Sequence, residues 1–463
     1  MPKPTDINAY LTSVCDQIRW KKARDVVSQE LENHITDQAD TYIKDGLDEK
    51  SAIESAIEEM GDPVVVGEQL DRVHRPRPDW VMLGVTALLV VIGGVLLYYI
   101  LSQGDPMTMI SFRHYLFYLL IGVIALVTIY FVDYSIIGKY PKTLFIAFLA
   151  VCACVVFLGP RIRNVTYAQL DMPSVFNISL LLIPLFAGVA YNQRGKRYGG
   201  LLVCLAFYVL AAALSLRVYN GGGLILFSIA FLILMTVTIS RNWFPVNKPA
   251  ALAINYVPVV LLLFFIVMRS NAFRQRLFNA FFPHFDPMGY WYQGAVIRSI
   301  LSGVKLWGTA QVQWPDSLPN FSGLSIEHIL PSWNSDLMLT YLMYKFGAIV
   351  GIVLTLAILA LIVRLFIVVS RQKSALGFAV SLSVALAITL QSAFYILGNF
   401  GVLLFSSSLP LLSYGGVGLA VNMALIGLAL SAFRRNDIVK DSLAPRVVPE
   451  KRIRNLLRGK IVD

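Results

Sequence analysis

The chain has 463 residues, of which 57% are hydrophobic and only 14% are charged, and its mean hydropathy is +0.66. Soluble domains carry roughly 25% charged residues, so this composition excludes a soluble protein for most of the chain. A net charge of +11 could indicate nucleic-acid binding, but the basic residues are spread over short loops and the last segment. Attraction to anionic membrane lipids explains that distribution, and we expect no nucleic-acid partner.

The charged residues divide the chain into three parts. Residues 1–79 contain 17 acidic and 10 basic residues, which gives a local charge of −7. Residues 80–433 contain only 7 acidic residues, whereas 434–463 contain 9 basic and 4 acidic ones. This pattern predicts a cytoplasmic helical module (1–79), a transmembrane domain (80–433) and a basic cytoplasmic tail (434–463).

Four short helices are predicted in the N-terminal module. Gly46 should end the second helix, and Asp48 should begin the third. The phrase Met60-Gly61-Asp62-Pro63 should end the third helix and open the fourth. The module has no phosphate loop, metal cluster or nucleophile pattern. It resembles the helical prefix modules that precede bacterial permease-like proteins, which implies regulation or partner contact.

Long apolar runs predict an all-α, polytopic membrane protein with about ten transmembrane helices. An even number of spans places both termini on the same side of the membrane. The predicted spans are 80–101, 115–132, 143–159, 175–190, 199–216, 223–239, 250–268, 337–363, 375–398 and 417–433.

The loop charges favour cytoplasmic termini. With that orientation the inner loops carry ten basic residues and the short outer loops carry four. An excess of Lys and Arg on the cytoplasmic side is the usual arrangement. The four outer residues are Arg113, Arg161, Arg163 and Arg217.

Residues 269–336 form a large outer loop between predicted helices 7 and 8. Loops of this length are usually functional or disordered. Four of the seven tryptophans lie in it, which favours partial burial in the membrane interface or a cavity.

Asp336 closes this loop directly before an apolar run. Two interpretations are open. Asn334, Ser335 and Asp336 are all residues that cap helix N-termini. Alternatively, partial desolvation at the membrane edge makes the carboxylate a better proton acceptor for a sugar hydroxyl.

No ligand spacing specifies a metal site. The cysteines Cys15, Cys152, Cys154 and Cys204 are expected to be packing residues, since three lie in apolar runs and the five histidines are scattered. No cofactor is indicated, although a divalent cation could bind among the outer acids.

Several phrases in the outer loops resemble the SEDS family (shape, elongation, division and sporulation). They cover roughly residues 80–433 and occur in the family's order. They are Arg274-Gln-Arg-Leu-Phe, Asp286-Pro-Met-Gly-Tyr, Tyr292-Gln293, Ile300-Leu-Ser-Gly303, Leu330-Pro-Ser-Trp-Asn-Ser-Asp336, Leu409-Pro-Leu-Leu-Ser-Tyr-Gly-Gly416 and Asn422-Met.

The resemblance implies a peptidoglycan glycosyltransferase of the RodA and FtsW type. Such proteins polymerise lipid II, a polyprenyl-diphosphate glycan, at the outer face of the bacterial membrane, usually with a class B penicillin-binding protein. The family's acidic catalytic residue closes the motif that here ends in Asp336. The resemblance therefore favours Asp336 as the site carboxylate.

A leaving diphosphate needs cationic stabilisation. The candidate cations on the outer side are Arg161, Arg163, Arg217, Arg298 and Lys305, each of which could instead be an interface anchor. Gln293 and Asn399 could bind glycan or form helix–helix contacts. Around Ser413 and Tyr414, the last signature could contact substrate, but a tight turn with close helix approach is the stronger expectation.

Several polar positions depart from the family pattern. The usual charged residues are missing from Met172-Pro-Ser-Val-Phe-Asn-Ile178, and Val218-Tyr-Asn-Gly221 replaces a Pro-Asp-Leu-Gly phrase. Ser332 and Asn334 stand at the usual acidic and histidine positions. The signature's trailing hydroxyl residues are replaced by Val417 and Gly418.

Two other functions therefore stay open. A non-catalytic membrane scaffold that regulates a cell-wall synthase would tolerate these substitutions. A flippase for a lipid-linked precursor is the other, although the spans carry no acid near their middle, which argues against ion-coupled transport.

Overall fold

The structure is a computed structural model of the chain. It describes residues 6–75, 78–102, 106–163, 177–217, 221–271, 274–275, 277–278, 282, 292–319, 321, 323–402, 407–414 and 416–436. For residues 22, 74, 106–111, 155–163 and 217 only the backbone is described.

The chain folds into two compact units. One comprises Met1–Asp79 with Phe433–Ser442, and the other comprises Trp80–Ala432 with Leu443–Asp463. In the first unit the described N-terminal helices are α1 (Ile7–Gln17), α2 (Lys21–Lys44), α3 (Glu49–Met60) and α4 (Pro63–His74).

The predicted starts and stops of these helices are confirmed. Asp48 accepts a hydrogen bond from Ser51 N at 3.2 Å, and Asp62 accepts one from Val64 N at 2.7 Å. Gly46 and Gly61 follow α2 and α3 with φ of 101° and 89°, a region that favours glycine. The buried core between the helices includes Tyr10, Val14, Ile18, Val27, Ile35 and Ala52.

The second unit is all-α in its described part, which confirms the predicted fold class. Eight helices are long and apolar enough to cross a membrane, and two shorter apolar helices, Pro141–Cys154 and Asn177–Asn192, occupy the third and fourth predicted spans. The helices are α5 (Trp80–Ser102), α6 (Pro106–Phe131), α7 (Ser135–Lys139), α8 (Pro141–Arg163), α9 (Leu182–Asn192), α10 (Tyr198–Arg217), α11 (Gly221–Ser240), α12 (Lys248–Arg269), α13 (Tyr292–Ser302), α14 (Ile326–Ile329), α15 (Met338–Phe346), α16 (Ala348–Ser370), α17 (Ala375–Asn399) and α18 (Gly416–Arg434).

Helix α17 is the centre of this unit. It packs against α9, α11, α15 and α16, and most of its length is buried. Small residues at Ala379, Ser383 and Ala387 allow its neighbours to approach closely, as is usual for helices packed inside a membrane. The C-terminal end of this buried helix carries Tyr395 and Asn399, which position the candidate site.

The prediction of one continuous span over 337–363 is wrong. The chain breaks at Gly347, where φ is 96° and ψ is 173°, and α15 and α16 are separate helices. The segment 305–310, which we call the strap, runs beside the break. Gly308 N donates to Phe346 O at 3.1 Å, and Ala348 N donates to Lys305 O at 2.9 Å. These bonds satisfy backbone groups that the break would otherwise expose to the apolar interior.

We expect Gly347→Ala to destabilise the protein. The positive φ alone costs on the order of 1–3 kcal/mol for a residue with a side chain. An added Cβ would also lie 2.5 Å from Leu306 O and 2.8 Å from Trp307 Cα. Thermal unfolding of the purified protein should show a lower Tm.

Gly84→Ala is the matched control, because Gly84 lies inside α5 and an added Cβ there would meet nothing within 4 Å. A Tm for Gly347→Ala equal to that of the Gly84 variant would contradict the role assigned to the break.

Candidate active site

Asp336 lies at the end of a tight turn that leads into α15. Ser332 adopts a left-handed conformation with φ of 53°, and its carbonyl accepts from Ser335 N at 3.0 Å and from Leu337 N at 3.1 Å. Oδ1 of Asp336 is buried, while the residue as a whole is half-buried. The backbone hydrogen bonds of this turn therefore hold the Asp336 carboxylate at the edge of the apolar core.

The prediction that one of Asn334, Ser335 or Asp336 caps the following helix is wrong. The N-cap residue of α15 is Leu337, and no side chain caps this helix end. The capping interpretation assumed that a helix begins directly after Asp336. In the structure Leu337 N instead donates a hydrogen bond to Ser332 O, within the turn.

Asn399, at the end of α17, holds this turn in place. Its Nδ2 donates to Asp336 O at 2.8 Å, and its Oδ1 accepts from Thr340 N at 2.9 Å. The hydroxyl of Thr340 also donates to Asn399 O at 2.9 Å. Asn399 is only 2% exposed. Of the two roles open for Asn399, the structure therefore favours the helix–helix contact.

Tyr395, one turn earlier on α17, adds a second contact to the start of α15. Its hydroxyl oxygen accepts from Leu339 N at 3.0 Å. The free backbone donors of the first turn of α15 are thus satisfied by α17 rather than by a local cap. The position of Asp336 is therefore fixed by tertiary contacts with a deeply buried helix.

The last signature loop reaches the same place. Tyr414 N donates to Asn334 O at 3.3 Å, which joins two motifs that are far apart in sequence. Ser413 is buried, and its Oγ accepts from Leu409 N at 2.9 Å within the loop. An added Cβ on Gly416 would lie 3.0 Å from the ring of Tyr118. The predicted tight turn with close helix approach is present.

The structure places the candidate cations differently. On α13, Arg298 is half-buried, and its Nε donates to Gly401 O at 3.3 Å, two residues beyond Asn399. Lys305 is exposed in the strap, near the other end of α15, which is roughly 13 Å from Asp336 at 1.5 Å per residue. Arg298 is therefore bound to the segment that follows Asn399, whereas Lys305 lies at the far end of α15.

Gln293 lies half-buried on α13, the helix that also carries Arg298 and packs against α15. The side chains of Arg161, Arg163 and Arg217 lie outside the described residues, as do the motif that begins at Asp286 and residues 172–176 of the phrase that begins at Met172.

A charged network missed by the sequence analysis lies along α15. The Tyr341 hydroxyl donates to Glu327 Oε1 at 2.8 Å, and Lys345 Nζ donates to the Tyr341 oxygen at 3.3 Å. Trp333 packs on Tyr341 with ring centroids 5.0 Å apart. Lys345 is the single charged residue of the apolar run 337–363, which was the available signal.

Glu327 stays ionised more readily than usual in this network. Burial alone raises the pKa of a carboxyl group, but hydrogen bonds from its own backbone, Tyr341 and Ser325, with the positive charge of Lys345, outweigh it. The pKa of Glu327 is therefore lowered from 4.5. In the described part of the chain, no group of three or more His, Cys, Asp or Glu side chains could hold a metal ion.

A sequence model of the FtsW/RodA/SpoVE family, described as cell cycle protein, matches residues 79–437, well over half of the chain. The chain belongs to this family. None of the curated proteins matches this FtsW/RodA/SpoVE member.

Solved structures share the fold of this FtsW/RodA/SpoVE protein. A chain from a structure described as showing the structural coordination of polymerization and crosslinking by a peptidoglycan synthase complex aligns with a TM-score of 0.58 at 19% identity, and the alignment covers 79% of this chain and 99% of that one. The rod shape determining protein RodA of Thermus thermophilus aligns with a TM-score of 0.52 at 15% identity, covering 78% and 97%. A single-residue mutant of that RodA gives 0.52 at 16% identity, covering 78% and 98%.

We expect Glu327 to stabilise the folded protein in a pH-dependent way. Because its pKa is lower in the folded than in the unfolded state, its contribution is present above pH 4.5 and is lost as the pH falls through the folded-state pKa. The difference in Tm between wild type and Glu327→Gln should therefore shrink between about pH 7 and about pH 3.

Asp316→Asn is the control, because Asp316 is exposed in the same loop. A Tm difference for Glu327→Gln that stays constant with pH, or one matched by the Asp316 variant, would contradict the network.

Proposed function

We propose that this family member is a peptidoglycan glycosyltransferase that polymerises lipid II at the outer face of the bacterial cytoplasmic membrane, with Asp336 as the general base. The observation that carries the proposal is the junction at Asp336. Asn399 binds the backbone of Asp336, and Tyr414 binds that of Asn334, so the two motifs of the family resemblance meet at one half-buried carboxylate.

Family membership supports a role in cell-wall synthesis. The fold shared with RodA and with the peptidoglycan synthase complex fits the same role. The reference to crosslinking in the description of that complex suggests a partner of the same kind here, a class B penicillin-binding protein. Cytoplasmic termini would place Asp336 and the outer loop on the side where lipid II is polymerised.

In the proposed reaction, Asp336 accepts the proton of the acceptor sugar's 4-hydroxyl. The hydroxyl oxygen forms a bond to the anomeric carbon of a second, lipid-linked sugar, and the bond from that carbon to the diphosphate breaks. The polyprenyl diphosphate leaves with the bond's electrons. Its charge needs a cation more than a general acid, and Arg298 is the described candidate held beside the Asp336 turn.

Hydrogen bonds hold the backbone around Asp336 in place, which supports the proposal that Asp336 is the general base. A general base must be held within hydrogen-bond reach of the proton it takes, and positioning contributes a large part of catalysis. The turn at Ser332, the bond from Asn399 and the contact with Tyr414 hold the segment from three sides. None of these contacts uses the carboxylate itself.

Asp336→Asn should abolish glycan polymerisation while leaving the fold intact. Removal of a general base typically costs 10²- to 10⁴-fold in rate, and the amide keeps the shape of the side chain. Labelled lipid II is incubated with the purified protein, with and without a penicillin-binding partner, and chain formation is followed on gels. The matched control is Asp316→Asn in the same loop.

A wild-type protein that binds lipid II but forms no polymer, under conditions where another family member is active, would contradict the proposal. The scaffold function would then be favoured, because Ser332 and Asn334 stand where the family usually has an acidic residue and a histidine. Cell-wall growth in cells that tolerate Asp336→Asn would be the second sign of a scaffold, and transport of lipid II without polymerisation would indicate a flippase.

Substitution of Arg298 and of Lys305, the two candidate cations whose side chains the structure describes, should change the polymerisation rate to different extents. Arg298→Gln should lower the polymerisation rate by about tenfold or more, because a cation near the leaving group stabilises developing charge. Lys305→Gln should leave the rate unchanged, since Lys305 lies at the far end of α15. Equal effects of both substitutions, measured in the same assay, would argue against an assigned role for Arg298.

A further inference from the structure

A second concentration of buried polar groups lies at the opposite ends of the spans from Asp336. It is formed by four segments, 133–139, 193–197, 241–246 and 371–374, which we call the inner cluster. These segments carry seven basic residues and one acid, Asp133. The carboxylate of Asp133 accepts from Ser135 N at 3.0 Å and so begins the short helix α7. The cluster is therefore strongly cationic.

Packed aromatic rings bring the four segments together. The Tyr191 ring packs on Trp243 with centroids 6.3 Å apart, and an added Cβ on Gly138 would touch both Tyr191 and Leu376. The guanidinium of Arg241 lies 3.7 Å over the Phe378 ring. The inner ends of α9, α11 and α17 thus meet α7 in one tightly packed region.

Three buried side-chain N–H donors of this region have no hydrogen-bond partner among the described residues, and the acceptor Gln372 Oε1 also has none. The donors are Gln193 Nε2, Trp243 Nε1 and Gln372 Nε2. The three side chains are 1%, 0% and 4% exposed. Such buried donors are rare in folded proteins, and each indicates an unseen water or ion.

A buried cation lies beside two of these donors, Gln193 and Trp243. Arg194 is 8% exposed, and its guanidinium stacks over the Trp243 ring at 5.5 Å. Lys196 donates to Gln193 Oε1 at 3.1 Å, which turns the Nε2 end of that carboxamide away from the lysine. The neighbourhood thus combines N–H donors with positive charge. An anion that accepts several hydrogen bonds satisfies both features.

We infer that the inner cluster binds a phosphate group, either as the headgroup of an anionic membrane lipid or as free phosphate. Phosphate oxygens accept from the indole and carboxamide N–H groups, and the guanidinium of Arg194 balances the charge. Basic sites between transmembrane helices on the cytoplasmic side commonly bind anionic headgroups. This site is separate from Asp336 and does not depend on the proposed polymerase activity.

The test uses substitutions that each remove one donor. Trp243→Phe keeps an aromatic ring under Arg194 but leaves a cavity at a fully buried position, so its Tm without ligand should fall. Gln372→Leu is close in volume and should lose little Tm, and each variant is therefore judged by the change in Tm on adding ligand and by the bound lipid. Arg371→Gln is the matched control, since Arg371 is exposed in the same loop as Gln372.

The delipidated full-length protein in detergent is titrated with dioleoyl-phosphatidylglycerol, with dioleoyl-phosphatidylcholine and with inorganic phosphate, and Tm and bound lipid by native mass spectrometry are recorded. We expect phosphatidylglycerol to raise the Tm of wild type with one tightly held lipid. Trp243→Phe and Gln372→Leu should each weaken binding about tenfold, the effect of one lost charge-assisted hydrogen bond. Arg371→Gln should bind as wild type does.

The outcomes separate the two sources of phosphate. A response to phosphatidylglycerol but not to inorganic phosphate assigns the site to a lipid, and saturable binding of inorganic phosphate assigns it to a soluble group. Equal binding of phosphatidylcholine, equal weakening by Arg371→Gln, or no loss of binding in the two donor variants would overturn the inference. The unpaired donors would then contact water only.

Discussion

The candidate site depends on two hydrogen bonds made by the Asn399 side chain. One side chain donates to the backbone of Asp336 and accepts from that of Thr340, so it spans the junction between the turn and α15. Both bonds are buried, where loss of one partner leaves a polar group unsatisfied at a cost of about 1–3 kcal/mol. Because α17 and α18 are the most enclosed of the candidate spans in the described part of the chain, the turn is held against a rigid part of the protein interior.

Local signals made the N-terminal module predictable. Asp48, Asp62, Gly46 and Gly61 act on neighbouring backbone groups, and such effects depend on residues within one helical turn. The spans were predictable for a similar reason, since hydropathy is a sum over consecutive residues. The break at Gly347 was not, because Leu337–Val363 is apolar apart from Lys345, and the strap that bonds to the backbone at the break is distant in sequence.

The candidate site was predictable only in part. Motif resemblance identified Asp336 and the loop of Tyr414, and the structure joins the Tyr414 backbone to that of Asn334, two residues before Asp336. The motif resemblance gave no sign of the network of Glu327, Tyr341 and Lys345. This network joins the loop that carries Glu327 to α15 through the hydroxyl of Tyr341. Pairing of this kind is set by tertiary packing, and no periodicity in the sequence encodes it.

The strap carries two large apolar side chains that are exposed at the surface. Leu306 is 62% exposed and Trp307 is 67% exposed, and their backbone is joined to the first turn of α16. Because the backbone of the strap bonds to Phe346 at the end of α15 and to Ala348 at the start of α16, a shift of either helix would also move these two exposed side chains.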